Sequence, residues 1–168
     1  HAMNVSPDYG AFAPTYDSGQ PQAVWTTFVA DLETPVSTML KLAESRANSF
    51  LLESVEGGAV RGRYSIIGLK PDLIWRCFGT QAEINESARY DPDAFTPCAG
   101  TALDSMRALI RDSRIELPEY LPPMAAGLVG YIGYDMVRQM EQLPEPNPDA
   151  LHLPDAILMR LTIMAIFD

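Results

Sequence analysis

Two apolar bursts of strand length, Phe50 to Leu52 and Tyr64 to Ile67, flank a link that carries Gly57, Gly58 and Gly62. Bursts so short, joined through glycine, predict neighbouring strands of one sheet. Glu53 and Ser54 then fall where the first strand stops, and Arg63 and Tyr64 where the second begins. Such pairing gathers hydrogen-bonding groups of both charge signs at one rim of an apolar layer, which suits a zwitterion with an apolar body. A serine hydroxyl donates and accepts, a carboxylate accepts from an ammonium group, and backbone groups at a strand end take what remains. The same residues also fit a plainer reading. Ser54 can bond its own backbone while Glu53 stands in water before a turn, and Arg63 and Tyr64 can be a snorkelling base and an edge aromatic. Tyr64 and Ser65 alternate along the chain, so a regular strand presents only one of them to a ligand.

The 168 residues, 47% of them hydrophobic, fit one globular domain with a core of useful size. A net charge of −10 argues against a nucleic-acid groove or an anionic membrane surface, since both need clustered Lys and Arg. Small molecules or proteins are the expected partners. Cys77 and Cys98 lack C-x-x-C spacing and read as reduced thiols of a cytoplasmic protein. No secretory signal is recognisable, and no apolar run approaches the roughly 20 residues that span a bilayer. His1-Ala2-Met3 reads as a cloning remnant.

Residues 4–22 hold Pro7, Gly10, Pro14, Gly19 and Pro21 and predict an irregular arm, with Tyr9, Phe12 and Tyr16 to pin it. Residues 23–168 form the domain. The β-branched and aromatic residues of 23–29 predict a strand. Thr34-Pro35 is an N-cap followed by proline at the first helical position, opening a helix to about Ala47 with Val36, Met39, Leu40 and Ala43 on its inner stripe. Residues 73–78 and 81–84 flank Gly79-Thr80 as a hairpin. A polar loop over 86–100 leads to an amphipathic helix, Thr101 to Arg114, with Leu103, Met106, Leu109 and Ile110 inward. A glycine-rich strand is expected over Ala125 to Tyr134, then a short helix capped by Asp135 and running to about Gln142. A proline-rich connection follows. Ala156 to Phe167 is a long strand apolar on both faces, which expects cover on both sides. The fold class is α+β, a largely antiparallel sheet with helices on one face.

No catalytic constellation emerges. Gly127, Gly130 and Gly133 are spaced G-x-x-G-x-x-G, without the lysine of a phosphate loop or an acidic ribose partner, so they predict close backbone approach instead. His152 has no Cys or His at metal spacing. The serines lack a nucleophile elbow, and acid pairs such as Glu141 and Glu145 read as a solvated edge. Catalytic and metal residues are therefore expected to be none.

Four motifs in order, L-L-E-S, G-R-Y-S-I-I-G, G-L-V-G-Y-I-G-Y-D and L-P-D-A-I-L-M, together resemble the N-terminal region of anthranilate synthase component I, from about Trp25 to Asp168. The resemblance implies one part of a larger αββα sandwich. It also implies a parent lyase converting chorismate to anthranilate and pyruvate in tryptophan biosynthesis, with magnesium and with ammonia from a glutamine amidotransferase partner. Chorismate chemistry would lie in a C-terminal chorismate-binding domain absent here, leaving an inactive regulatory and structural portion with no cofactor of its own. In that family the L-L-E-S segment belongs to the feedback site for L-tryptophan. Leu52, Glu53, Ser54, Val55, Arg63, Tyr64 and Ser65 are the implied binding residues here. Leu52, Val55 and Ile66 would line part of an indole slot. Aminodeoxychorismate synthase component I, of the folate pathway, has a similar N-terminal region. A stand-alone amino-acid-binding module and a ligand-free interaction module are readings from other classes. The ending after a strongly apolar strand looks cut.

Overall fold

The structure, a computed structural model, describes residues 4–54, 63–145, 148–149 and 151–168. Its contacts divide the chain into two units. One comprises His1–Gly68, Arg114–Ala126 and Met164–Asp168, the other Leu69–Ser113 and Gly127–Ile163. The long strands β2 (Ser65–Phe78) and β6 (Ala156–Phe167) contribute residues to both.

In the first unit, the segment expected to be irregular holds helix α1, Tyr9–Asp17. Asp8 caps it, its carboxylate accepting from the Ala11 amide at 2.9 Å, and this local bond offsets the proline and glycine content that argued against a helix. The strand expected over 23–29 reduces to one bridge. Ser6 and Trp25 exchange two backbone hydrogen bonds of 2.8 Å, while Phe28 and Val29 stay exposed. The Trp25 ring instead tilts against Tyr120, centroids 5.7 Å apart. Helix α2, Pro35–Ala43, starts as the sequence predicts. The Ser37 amide donates to Thr34 Oγ1 at 3.0 Å and the Thr34 amide to Ser37 Oγ at 2.9 Å, a reciprocal cap. It ends four residues early because Glu44 and Ser45 turn left-handed, at φ 47° and 62°. Of its expected inner stripe, Ala43 is buried and Met39 half-buried, whereas Val36 and Leu40 are 50% and 75% exposed. Strand β1, Phe50–Glu53, pairs antiparallel with the start of β2.

The second unit contains the larger core. After β2, strand β3 (Gln81–Asn85) returns antiparallel across a two-residue loop, with Cys77 opposite Ala82 and Phe78 opposite Gln81. Gly79 supplies the positive φ (58°) that the first loop position needs. Strands β4 (Thr96–Pro97) and β5 (Leu128–Ile132) complete the order β4-β3-β2-β6-β5. Every pair with a described register is antiparallel, so the α+β antiparallel expectation holds. Helix α3, Ala102–Asp112, is capped by Thr101. Its Ala102, Leu103, Met106 and Leu109 pack with Leu73, Trp75 and Cys77 of β2 and Ala156 and Leu158 of β6. Ile110, expected inward, is 44% exposed. Trp75 is fully buried and its indole N–H donates to Ser105 Oγ at 3.0 Å.

The helix expected after β5 is a 3-10 helix, Tyr134–Gln139, and Asp135 does not cap it. Its carboxylate accepts from Arg138 at 2.8 Å instead. The glycine expectation holds at Gly130 and Gly133, where a Cβ would lie 1.8 Å from the carbonyl oxygen of Ile157 and 2.7 Å from that of Asp155, but not at Gly127, where a Cβ would meet nothing within 4 Å. Asp155 explains the L-P-D motif as a knot. Its amide donates to the Cys77 carbonyl at 2.8 Å, its carbonyl accepts from the Gly133 amide at 2.7 Å, and its carboxylate accepts from the Gly79 amide.

Candidate functional site

The first unit assembles most of the sequence-predicted rim. In the β1–β2 register Glu53 stands opposite Ser65, Leu52 opposite Ile66 and Leu51 opposite Ile67. Directly opposed residues share a face and successive ones alternate. Glu53 and Ser65 therefore lie on the face of Leu51 and the fully buried Ile67. Leu52 and Ile66, candidates for the apolar slot, share the opposite face, where Leu52 is 50% exposed. The polar pair and the apolar pair are thus brought within one residue of each other along the ribbon, but on its two sides. Ser54 follows directly after β1. Val55, the remaining candidate, lies outside the described residues.

Arg63 and Tyr64 immediately precede β2, as the sequence predicts, and the guanidinium sits over the Tyr64 ring at 5.0 Å from its centroid. What sequence reasoning missed is the partner of Arg63. Its Nε and Nη2 donate to the two carboxylate oxygens of Asp168, a fork-to-fork pair. Both side chains keep water access, at 61% and 54% exposure. The hydrogen bond from Arg63 holds the Asp168 carboxyl below the usual aspartate range, and the bond to Asp168, with its charge, raises Arg63. A separation of 105 positions gives this pair no local sequence signal.

The rim offers a carboxylate, hydroxyls, a cation and an exposed leucine on a fixed β-ribbon, which are groups for binding. Among the described residues no group of three or more His, Cys, Asp or Glu could hold a metal ion. Cys77 and Cys98 are free thiols, and burial pushes both upward, away from the reactive thiolate. No described helix is long and apolar enough to cross a membrane.

No protein-family model matches the chain. It is 56% identical to anthranilate synthase component 1 of Cereibacter sphaeroides over 95% of its own length and 32% of that protein's. With the same-named protein of Synechocystis it shares 38% identity, over 98% of the chain and 32% of the relative. With that of Thermus thermophilus it shares 40%, over 84% and 29%. The fold matches a crystal structure of anthranilate synthase component I from Streptococcus pneumoniae with a TM-score of 0.51 and 19% identity, over 88% of this chain and 29% of that one. The motif resemblance is borne out: the chain is homologous to anthranilate synthase component 1 along nearly its whole length. It spans about a third of the length of the curated relatives it matches.

Proposed function

We propose that this chain is the N-terminal regulatory and structural portion of an anthranilate synthase component I, and that the β1–β2 rim forms part of a feedback site for L-tryptophan. The observation that carries the reading is the pairing of Glu53 with Ser65 beside Arg63 and Tyr64, in a chain 56% identical to a protein of that name. In this reading Glu53 accepts from the ligand's ammonium group, and Ser54 and Ser65 donate or accept at the rim, with Ser65 on the face that it shares with Glu53 and Leu51. The parent would be a cytoplasmic lyase of tryptophan biosynthesis. It would turn chorismate into anthranilate and pyruvate with ammonia delivered by a glutamine amidotransferase subunit. Its chorismate-binding domain would complete an αββα sandwich with this portion and supply the chemistry. The described residues do not fit the magnesium ion that such a parent would use, as they hold no ligand cluster for it. The relatives' name favours this reading over the aminodeoxychorismate synthase one.

The test is Ser54→Phe in the full-length parent. Each charge-assisted hydrogen bond lost costs on the order of 1.5 to 3 kcal/mol, or about ten- to a hundredfold in affinity. Tryptophan inhibition is expected to weaken by that order while chorismate turnover stays near wild type. An unchanged inhibition constant removes Ser54 from the site.

A further inference from the structure

The tryptophan reading leaves the rim's cation engaged, because the Nε–Nη2 edge of Arg63 is already taken by both carboxylate oxygens of Asp168. An amino acid's α-carboxylate has the same two-oxygen geometry as the aspartate side chain. It can therefore replace Asp168 on the Nε–Nη2 edge bond for bond, and cannot share that edge with it, because the edge offers two donors to two oxygens. The Tyr64 ring under the guanidinium helps to keep that edge aimed at the rim when its partner changes. Water reaches both members of the present pair, and an exposed ion pair is weak enough for a ligand to exchange with it.

We propose that Asp168 is a built-in competitor for Arg63, and that an amino-acid ligand docks its carboxylate on Arg63 by displacing Asp168. Binding would thereby release the end of β6 from the start of β2, so occupancy of the rim is coupled to the tether on residue 168. The proposal rests on the tryptophan reading and adds to it a determinant of affinity outside the motif residues.

The experiment is calorimetric titration of the full-length parent with L-tryptophan and with tryptamine, which keeps the indole and the ammonium group but lacks the carboxylate. Asp168→Asn removes the competing charge at the surface. It is expected to tighten L-tryptophan about two- to fivefold, the range set by the strength of exposed ion pairs, and to leave tryptamine unchanged. Arg63→Gln is expected to weaken L-tryptophan about tenfold and to abolish the effect of Asp168→Asn in the double variant. Tryptophan binding that Asp168→Asn leaves unaltered, or equal tightening of tryptamine, overturns the competition while the tryptophan site stands. A wild-type protein and variants that all fail to bind L-tryptophan overturn both.

Discussion

At Gly130 the backbone of β5 approaches Ile157 so closely that a methyl group has no place, the obstacle being a carbonyl oxygen rather than a flexible side chain. Gly130→Ala is therefore expected to destabilise the chain by about 1 to 3 kcal/mol, the range for overpacking. Gly79 makes the contrasting case. A Cβ there meets open space, so only its φ of 58° resists substitution, and Gly79→Ala should cost about 1 kcal/mol. Urea midpoints of the two variants check both values, and a Gly79 effect larger than that of Gly130 would contradict the assignment. Asp168 gives a pH-dependent expectation. Its carboxyl is depressed in the folded chain by the bond from Arg63, so the stability it contributes is present above the ordinary aspartate range and is lost as pH falls through the lower folded value. The difference in melting temperature between wild type and Asp168→Asn should vanish in strong acid and be constant at neutral pH. These residues differ in how far the sequence reveals them. Glycine spacing exposes a close approach, whereas nothing around Asp168 points to a partner 105 positions away.

Elements follow the same division between local and distant causes. The start of α2 was legible because Thr34, Pro35 and Ser37 form a self-contained cap, and Thr34→Ala is expected to cost about 1 kcal/mol in thermal or urea unfolding. The end of α2 was not, since a left-handed Glu44 is an unusual choice where glycine or asparagine would signal the stop. Helix α1 was hidden by Pro14 and Gly10, with Asp8 as its only start signal. The aromatic stretch at 23–29 has strand composition but, beyond the Trp25 bridge, no described partner strand, and composition without a partner does not make a ladder. Hairpin β2–β3 was legible from its Gly79-Thr80 turn and strand β6 from its long run apolar on both faces. Buried Cys77 on β2 offers a probe of that core. Under native conditions an alkylating reagent should reach the partly exposed Cys98 first and Cys77 only on unfolding.

Across the whole molecule, burial is uneven. Among the described residues the buried apolar side chains of the first unit are Ala43 and Ile67, while Leu73, Ile74, Trp75, Leu109 and Leu158 belong to the second. Hydrogen exchange is expected to be faster at the amides of α2 and β1 than at 73–77 of β2, because local opening follows the apolar contact it must break. Comparable protection would contradict that ranking. Phe28, Leu32 and Leu40 in the first unit and Leu151 and Leu153 in the second are exposed. The isolated 168-residue chain should therefore self-associate, and more so at high salt, where its charge of −10 is screened. Light scattering behind a sizing column, across concentration and salt, measures this. The rim was the most legible part of the candidate site, since strand ends can be read from apolar bursts. Which side each residue faces came only with the register.

The chain passes between its two units at four places, after Gly68, Ser113, Ala126 and Ile163. A genetic dissection that keeps a contiguous stretch therefore cannot deliver the first unit short of the whole chain, and residues 69–163, which hold all of the second, carry 114–126 of the first with them. Deleting 1–68 or 164–168 takes pieces of the first unit alone and leaves its remaining pieces still joined to the second. Separating the rim from the larger core would call for a rewired chain, with new linkers joining the pieces of each unit, rather than a shorter gene.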